Sequence, residues 1–471
     1  MKLRKIFSLV FILFLVFALV ACNKNTDDNK PVDNDEPVLV NYAEYVKTNK
    51  DAKVIVKAYV QAKDVFKADE VDASKGKASL YLADADGGYF AYEVSMTKAE
   101  YDALEVGAFV EVTGVKAEWK GEVELSSATL KTLEGEKKTF DAIDLTDKMD
   151  DAEKNMNRLV KINGLTVVGH GSEGLPFTYT WGGGGERGSD LYVDLALNGK
   201  IYTFVVETDL KDENTDVYKA VEALKLGETV DIEGFAYWYE GLQIQLTKVT
   251  GKNDVASYAE FVQAEKNTIL TIAGFVSDMQ KYAETYKNTT IYLRTSEGAY
   301  FVYRLPLSQE EYDTIKVGSL LKVKGPKSEW KGEVELSLDG TTLTGKLFEV
   351  FDRNVTFGAV DMTDDVASAT NYMNQLVTIK GCEVVGRGDE NEPFTYTWAG
   401  GGERGADLYF SVKIGSETFE FVVESDLFNE ETDVYKAVEA LQVGQLIDIT
   451  GYDYFYNNTL QLQVKEVVLS K

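Results

Sequence analysis

Short apolar and β-branched runs recur between glycines set seven apart, as "AFVEVTG", "ETVDIEG", "SLLKVKG" and "QLIDITG". Runs of this length and residue type, bounded by turn formers, predict strands. The glycines are Gly107, Gly114 and Gly121, then Gly227, Gly234 and Gly241, then Gly318, Gly325 and Gly332; the fourth set is Gly444, Gly451 and Asn458. Asparagine is the natural substitute where a backbone must turn left-handed. A helical pattern precedes the first glycine, with capping-box spacing in "TKAEYDALEVG" (Thr97, Glu100) and "SQEEYDTIKVG" (Ser308, Glu311). The glycine then stops the helix. After the third glycine comes another alternating strand, such as "EVELS" or "LQIQL", and upstream of the helix lies a strand hairpin such as "ASLYLADADGGYFAYEV".

Two levels of repetition organise these elements. "NTDVYKAVEAL" (214–224) returns as "ETDVYKAVEAL" (431–441), and "EWKGEVELS" (118–126) returns from Glu329. The chain is therefore a duplicated block of about 210 residues, the size of two ordinary domains. Each half-block reads as three strands, a helix and two more strands. Five strands with a helix between the third and fourth resemble the OB-fold, a small Greek-key barrel. The resemblance implies an all-β chain with minor helix, built of four tandem OB-like five-stranded barrels arranged as a duplicated pair. The modules are expected at 38–135, 136–251, 252–350 and 351–471, with "YAEYV" and "YAEFV" as helices opening the odd ones.

The N-terminal "MKLRKIFSLVFILFLVFALVAC" combines a basic start with an uninterrupted apolar run, which predicts a signal peptide over 1–21. Leu19-Val20-Ala21-Cys22 resembles the lipobox of bacterial lipoproteins, which implies lipid attachment at Cys22 and a place at the cell membrane facing outside the cytoplasm. An uncleaved anchor helix and an ordinary secretory signal are the alternatives. Residues 22–37 are polar and acidic and predict a flexible tether. Cys382 is the only other cysteine, so a chain acylated at Cys22 has no intramolecular disulfide and must rely on its cores. The net charge of −29 opposes phosphate backbones and anionic headgroups. Its blander meaning is solubility.

The chemistry worth weighing sits in "PFTYTWGGGGERG" (176–188) and its copy "PFTYTWAGGGERG" (393–405). Both lie between the first and second strands of their modules, where OB-folds commonly contact oligonucleotides or oligosaccharides. The five tryptophans follow suit. Trp181 and Trp398 fall in these first loops, Trp119, Trp238 and Trp330 at the turn between strands four and five, and Phe455 takes the place of Trp238. Stacking on flat aromatic faces contributes about 1–3 kcal/mol per base in nucleic-acid binders. In a chain with few arginines, Arg187 and Arg404 stand beside Glu186 and Glu403. An arginine fork next to glycine N–H groups suits an anionic or polyhydroxylated ligand. Candidate contacts are thus Trp181, Glu186, Arg187, Trp398, Glu403 and Arg404, supported by Trp119 and Trp330. The alternative is structural: Phe177, Tyr179 and Trp181 cap the barrel core, the arginine pairs internally, and the copies match because the duplication is recent.

Catalytic sets are missing. The single histidine, His170, has Arg387 as its counterpart and is expected to be an exposed loop residue outside any triad or zinc set. Cys382 alternates into a strand core. "DADGG" (84–88) lacks the calcium-loop register after its third position and reads as a hairpin turn. No cofactor or metal is expected, and the chain reads as a binding or scaffolding protein, not an enzyme. Its expected ligand is an extracellular glycan or protein. Single-stranded nucleic acid, with a nuclease-accessory role, is the alternative; Lys120 and Lys331 beside tryptophan favour it and the acidity opposes it.

Overall fold

The computed structural model describes residues 36–388 and 391–470. The expected signal peptide, Cys22 and the tether up to residue 35 lie outside the described residues. Pro37–Lys471 forms one compact unit, and among the described residues no helix is long and apolar enough to cross a membrane.

Four five-stranded barrels make up this unit. The first comprises β1 (Lys53–Lys63), β2 (Lys75–Ala83), β3 (Gly88–Thr97), β4 (Phe109–Trp119) and β5 (Glu122–Thr132). The second has β6 (Leu159–Val167), β7 (Leu191–Leu197), β8 (Lys200–Val206), β9 (Thr229–Trp238) and β10 (Leu242–Gly251). The third has β11 (Ile269–Met279), β12 (Asn288–Arg294), β13 (Ala299–Pro306), β14 (Leu320–Trp330) and β15 (Glu333–Ser337). The fourth has β16 (Leu376–Val385), β17 (Leu408–Ile414), β18 (Glu417–Val423), β19 (Leu446–Tyr452) and β20 (Gln463–Leu469). In each, the first strand pairs with both the second and the fourth, which closes the sheet. The third and fifth strands pair in parallel and every other neighbour is antiparallel. That connectivity is the OB-type Greek key expected from element order.

The glycine spacing now has a physical cause at each step. The first glycine leaves the helix with positive φ, as at Gly107 (+88°) and Gly318 (+88°). The second sits where the fourth strand bulges against the fifth, and a Cβ at Gly451 would stand 2.7 Å from the Gln463 carbonyl. The third turns between strands four and five, and Asn458 takes the same left-handed conformation with φ 60°. Helices α1 (Tyr42–Lys47), α2 (Lys98–Ala103), α4 (Tyr258–Gln263) and α5 (Gln309–Thr314) all begin with a capping box, including Thr97/Glu100 and Ser308/Glu311. Helices α3 (Asp216–Glu222) and α6 (Asp433–Glu439) each bury three residues, Val217, Tyr218 and Val221 and their copies, in the barrel core beside them. Each barrel closes around its own apolar cluster.

The barrels are joined in pairs by a repeated contact. Tyr81 on β2 stacks on Phe235 of β9, with centroids 4.0 Å apart, and its hydroxyl donates to Gln245 Oε1 at 2.5 Å. In the second half Tyr292 stacks on Tyr452 at 4.0 Å and donates to Gln463 Oε1 at 2.5 Å. A glutamate is sealed in beside each stack. Glu122 and Glu333 are fully buried, and each accepts one backbone N–H across the joint, from Trp238 at 2.8 Å and from Phe455 at 2.9 Å. Asn157 and Asn374 adjoin the other carboxyl oxygen. Their amide nitrogens donate to the carbonyls of Val123 and Val334, which leaves Glu122 Oε1 and Asn157 Oδ1, and likewise Glu333 Oε1 and Asn374 Oδ1, without partners. A buried carboxyl oxygen with no donor is costly as a carboxylate, which favours the protonated form of these glutamates. Burial pushes Glu122 up to about 8, with Glu124 adding to it, and holds Glu333 well above the carboxylate range.

The sign of the pH dependence follows. The folded state keeps protons that the unfolded chain releases near the ordinary glutamate value of about 4.3, so stability falls as pH rises from there towards about 8. Glu122→Gln and Glu333→Gln keep the acceptor and replace the proton with an amide donor. Calorimetry is expected to give both variants a wild-type Tm at pH 5 and a Tm a few degrees above wild type at pH 8. Parallel Tm-versus-pH curves for variant and wild type would show that these acids are ionised.

Candidate ligand-binding groove

The loop between β6 and β7 is built to lift one indole ring out of the barrel. Phe177 and Tyr179 pack against the core, while Tyr179 N–H bonds to Gly184 O at 2.9 Å and Thr180 Oγ1 donates to Gly183 O at 2.6 Å. The glycines take φ values of +93°, +72° and +88° at Gly183, Gly184 and Gly185, a path closed to side-chain-bearing residues at little cost only to glycine. Trp181 emerges 53% exposed and Trp398, on the copied loop, 61% exposed. The run of glycines is therefore a tight turn that presents tryptophan.

Arg187 of that turn is paired internally. Its Nε donates to Glu222 Oε1 at 2.9 Å and its Nη2 to Glu213 O at 2.7 Å; Tyr179 Oη donates to the same Glu222 oxygen at 2.9 Å. Arg404 repeats this with Glu439 at 3.0 Å and Glu430 O at 2.6 Å, and Tyr396 donates to Glu439 at 2.9 Å. The adjacent Glu186 and Glu403 stay exposed. Of the two readings open for this arginine, internal pairing is the one the geometry displays, while the tryptophan beside it is free on the surface.

His170 corrects an expectation. It is buried, 6% exposed, because its backbone continues the strand by bridging Leu175. Its Nδ1 lies 2.9 Å from Asp194 Oδ1 and its Nε2 3.0 Å from the Trp181 carbonyl. The shared role with Arg387 becomes clear: Arg387 Nη2 donates to the Trp398 carbonyl at 3.1 Å, and its Nη1 bonds to Ser411 Oγ at 3.2 Å and to Glu420. In both halves a buried basic side chain lies against the carbonyl of the displayed tryptophan.

Three loops meet at the surface of the first half. The Trp181 ring lies 5.6 Å from Tyr192 and 6.3 Å from Tyr239. Lys120 reaches over Tyr239 at 5.7 Å and pairs with Glu240, and Glu240 N–H donates to Lys120 O at 2.7 Å. Trp119, 58% exposed, rides on that same turn. In the second half Lys331 lies over Trp330 (5.7 Å) and Tyr456 (4.1 Å). Trp330 is 56% exposed. Among the described residues Trp398 has no ring contact of the kind Trp181 makes. Trp238 differs from the other four, being half-buried against the core of the second barrel.

Beside these rings runs a cleft that the sequence did not announce. Between the third and fourth barrels it encloses about 590 Å³ and is lined by Tyr286, Phe301, Tyr303, Trp330 and Tyr454 together with Arg304, Glu335, Asp339, Glu424, Asp426 and Gln463. Arg304 spreads over Tyr303 at 5.0 Å and Tyr286 at 5.6 Å and pairs with Asp339 at 3.1 Å. Burial, reinforced by Asp407 and Asp426, pushes Glu424 up to about 7, and burial also raises Glu335. The first half carries Phe90, Tyr92, Trp119, Glu124, Glu207 and Tyr237 at the matching positions. There burial, with Asp64 and Asp190, pushes Glu207 up to about 8. The one available signal was "EVELS", in which both copies place two glutamates in alternation on a strand.

The histidine gives one loop a pH dependence that the other lacks. Burial lowers the His170 value, but Asp194 and the Trp181 carbonyl outweigh it and leave it above the ordinary one. The Nε2–H bond to Trp181 is thus present below about pH 6.5 and lost as pH rises through the higher folded value. Arginine does not titrate in this range. Hydrogen exchange, corrected for intrinsic rates, is expected to show 176–188 losing protection between pH 6 and pH 8.5 while 393–405 stays constant. Equal changes in both segments would rule out this role for His170.

No protein-family model matches the chain, and no curated protein matches it. Among solved structures it is similar to the Ifi202 HINa domain in complex with 20 bp double-stranded DNA, at 14% identity over 42% of this chain and 97% of that one, with a TM-score of 0.18. A murine DNA-binding protein bound with double-stranded DNA is similar at 11% identity over 43% of this chain and 99% of that one, TM-score 0.17. A Replication Protein A heterotrimer bound to single-stranded DNA is similar at 8% identity over 89% of this chain and 94% of that one, TM-score 0.20. The OB-type barrel of the present chain rests on its own strand connectivity.

Proposed function

We propose that this chain is a binding protein that holds an extended polyhydroxylated oligomer, a glycan, along the aromatic loop ends and inter-barrel cleft of each half. The observation that carries the reading is the cleft in which Tyr303, Tyr454 and Trp330 alternate with Glu335, Glu424 and Gln463. Flat rings suit the apolar faces of sugars, and convergent carboxyl and amide oxygens suit their hydroxyls. The same carboxyls oppose a phosphate backbone, as does the net charge of −29. Two sites on one chain add avidity for a polymer. The proposal includes the lipid anchor at Cys22 outside the cytoplasm and binding without turnover.

Glycan arrays followed by calorimetry test it. Trp119→Ala with Trp330→Ala, and separately Trp181→Ala with Trp398→Ala, are each expected to weaken the selected glycan about 10- to 100-fold. Folding is expected to be unchanged, because all four rings are largely exposed. Full affinity in both double variants would end the proposal.

Single-stranded nucleic acid is the second reading, favoured by cations placed on surface rings: Lys331 over exposed Trp330 and half-buried Tyr456, and Arg304 over half-buried Tyr303 and exposed Tyr286. Salt separates the two. Affinity for an oligonucleotide that falls steeply between about 50 and 200 mM salt selects nucleic acid, whereas glycan binding is expected to be flat over that range.

A further inference from the structure

The third and fourth barrels and the segment that links them enclose a second, smaller cavity of about 170 Å³, lined by Ser277, Arg294, Thr356, Gly358, Tyr452 and Lys465 among others. That is room for roughly five or six waters at ~30 Å³ each, enough for one tetrahedral oxyanion. We propose that this cavity binds a small oxyanion of the phosphate or sulfate type, held by the Arg294 guanidinium with Lys465 and the Ser277 and Thr356 hydroxyls around it.

Arg294 ends β12 and makes no ion pair among the described residues; its Nη1 is buried without a hydrogen-bond partner, and the Phe357 ring lies 5.7 Å from its guanidinium carbon. In a chain with 78 acidic residues, no other described arginine has a buried guanidinium nitrogen without a hydrogen-bond partner. Arg187, Arg304, Arg353, Arg387 and Arg404 each pair with a carboxylate. A cation withdrawn from water without an acid is unfavourable, and burial lowers its pKa accordingly. An arginine fork beside hydroxyl donors is the arrangement that binds oxyanions in bidentate fashion.

The first half of the chain is an internal control. Phe275 of β11 pairs with Arg294 and Leu320, and Tyr59 of β1 pairs with Ala83 and Phe109, so Ala83 occupies the place of Arg294. By the same register and the local repeats "TFDAIDLTD" and "TFGAVDMTD", Gln61 stands for Ser277, Asp141 for Gly358 and Thr247 for Lys465. Gln61 fills its side of the joint, accepting from Phe140 N–H at 3.0 Å and donating to Tyr59 O at 3.0 Å. In the second half, then, a side chain that closes the space and an acid have gone and two cations have appeared. Lys465 is neutralised by Asp278 at 2.7 Å, and Arg294 keeps an uncompensated charge.

The test is a titration of the full chain with inorganic phosphate, followed by ³¹P line broadening and calorimetry at constant ionic strength. Saturable one-site binding, displaced by sulfate, is expected. Arg294→Gln is expected to weaken it at least tenfold and Arg294→Lys less, while Val71→Ala, at an exposed position in the first barrel, leaves it unchanged. Circular dichroism and Tm establish that the Arg294 variants are folded, and Ser277→Ala, at the rim, provides a milder second probe expected to weaken binding several-fold. Glycerol phosphate in parallel tells a free ion from a phosphate group on a larger ligand. No saturable binding to the wild type, or equal binding by Arg294→Gln and wild type, would overturn the proposal.

Discussion

A closed five-stranded barrel leaves one broad outer face across its second and third strands, and in this chain the odd-numbered barrels surrender part of that face to their even-numbered neighbours. The stack of Tyr81 on Phe235, and of Tyr292 on Tyr452, is the contact on which the remaining geometry depends. It buries two tyrosine hydroxyls, each of which needs an acceptor and finds a glutamine on the fifth strand of the neighbour. It also buries Glu122 and Glu333, each of which accepts a backbone N–H across the joint. Because both partners are rigid sheets, fixing this one patch orients the loops of two barrels at once. The turn carrying Trp119 then comes to rest on the turn carrying Tyr239, and the part of the outer face not covered becomes the wall of a cleft.

This arrangement changes what the OB connectivity means for recognition. In an isolated barrel the face of strands two and three and the loops around it serve one ligand together. Here the face comes from an odd barrel and the first loop from an even one, so neither barrel alone holds the candidate groove. The repeated structural unit is the pair, and the chain carries two.

Legibility from sequence followed the same division between local and long-range causes. The heptad glycines were readable because each answers a constraint inside one hairpin: a helix exit, a bulge, a tight turn. The exposed tryptophans were readable because they sit in loops that the element order locates. His170 was misplaced because its burial depends on a bridge to Leu175 and on Asp194, a residue of the next strand. The cleft carboxylate Glu335 and its copy Glu124 were missed because they lie on the outside of their own barrel, where alternation predicts water; only the neighbouring barrel removes it. For Arg187 the residues alone supported two readings, and what decides between them is Glu222 on a helix that the linear pattern does not bring near.

Where the two halves differ, the differences separate structure from chemistry. At the loop anchor, His170 with Asp194 and Thr203 becomes Arg387 with Ser411 and Glu420: the acid moves from one strand to the next, yet a basic side chain still holds the tryptophan carbonyl. Compensated exchange of this kind marks a position kept for architecture. Other replacements are uncompensated. Ala236 becomes Asp453, which has both carboxyl oxygens buried without partners and is pushed up to about 8 by that burial. Ala83 becomes the unpaired Arg294. A duplicated fold that merely had to stay folded would not gather a neutralised acid and a lone cation at the joint of one half, since each costs stability where its copy does not. The two halves therefore share a wall plan but differ in the charge set behind it, and the second half is the one whose polar groups exceed what its own architecture uses.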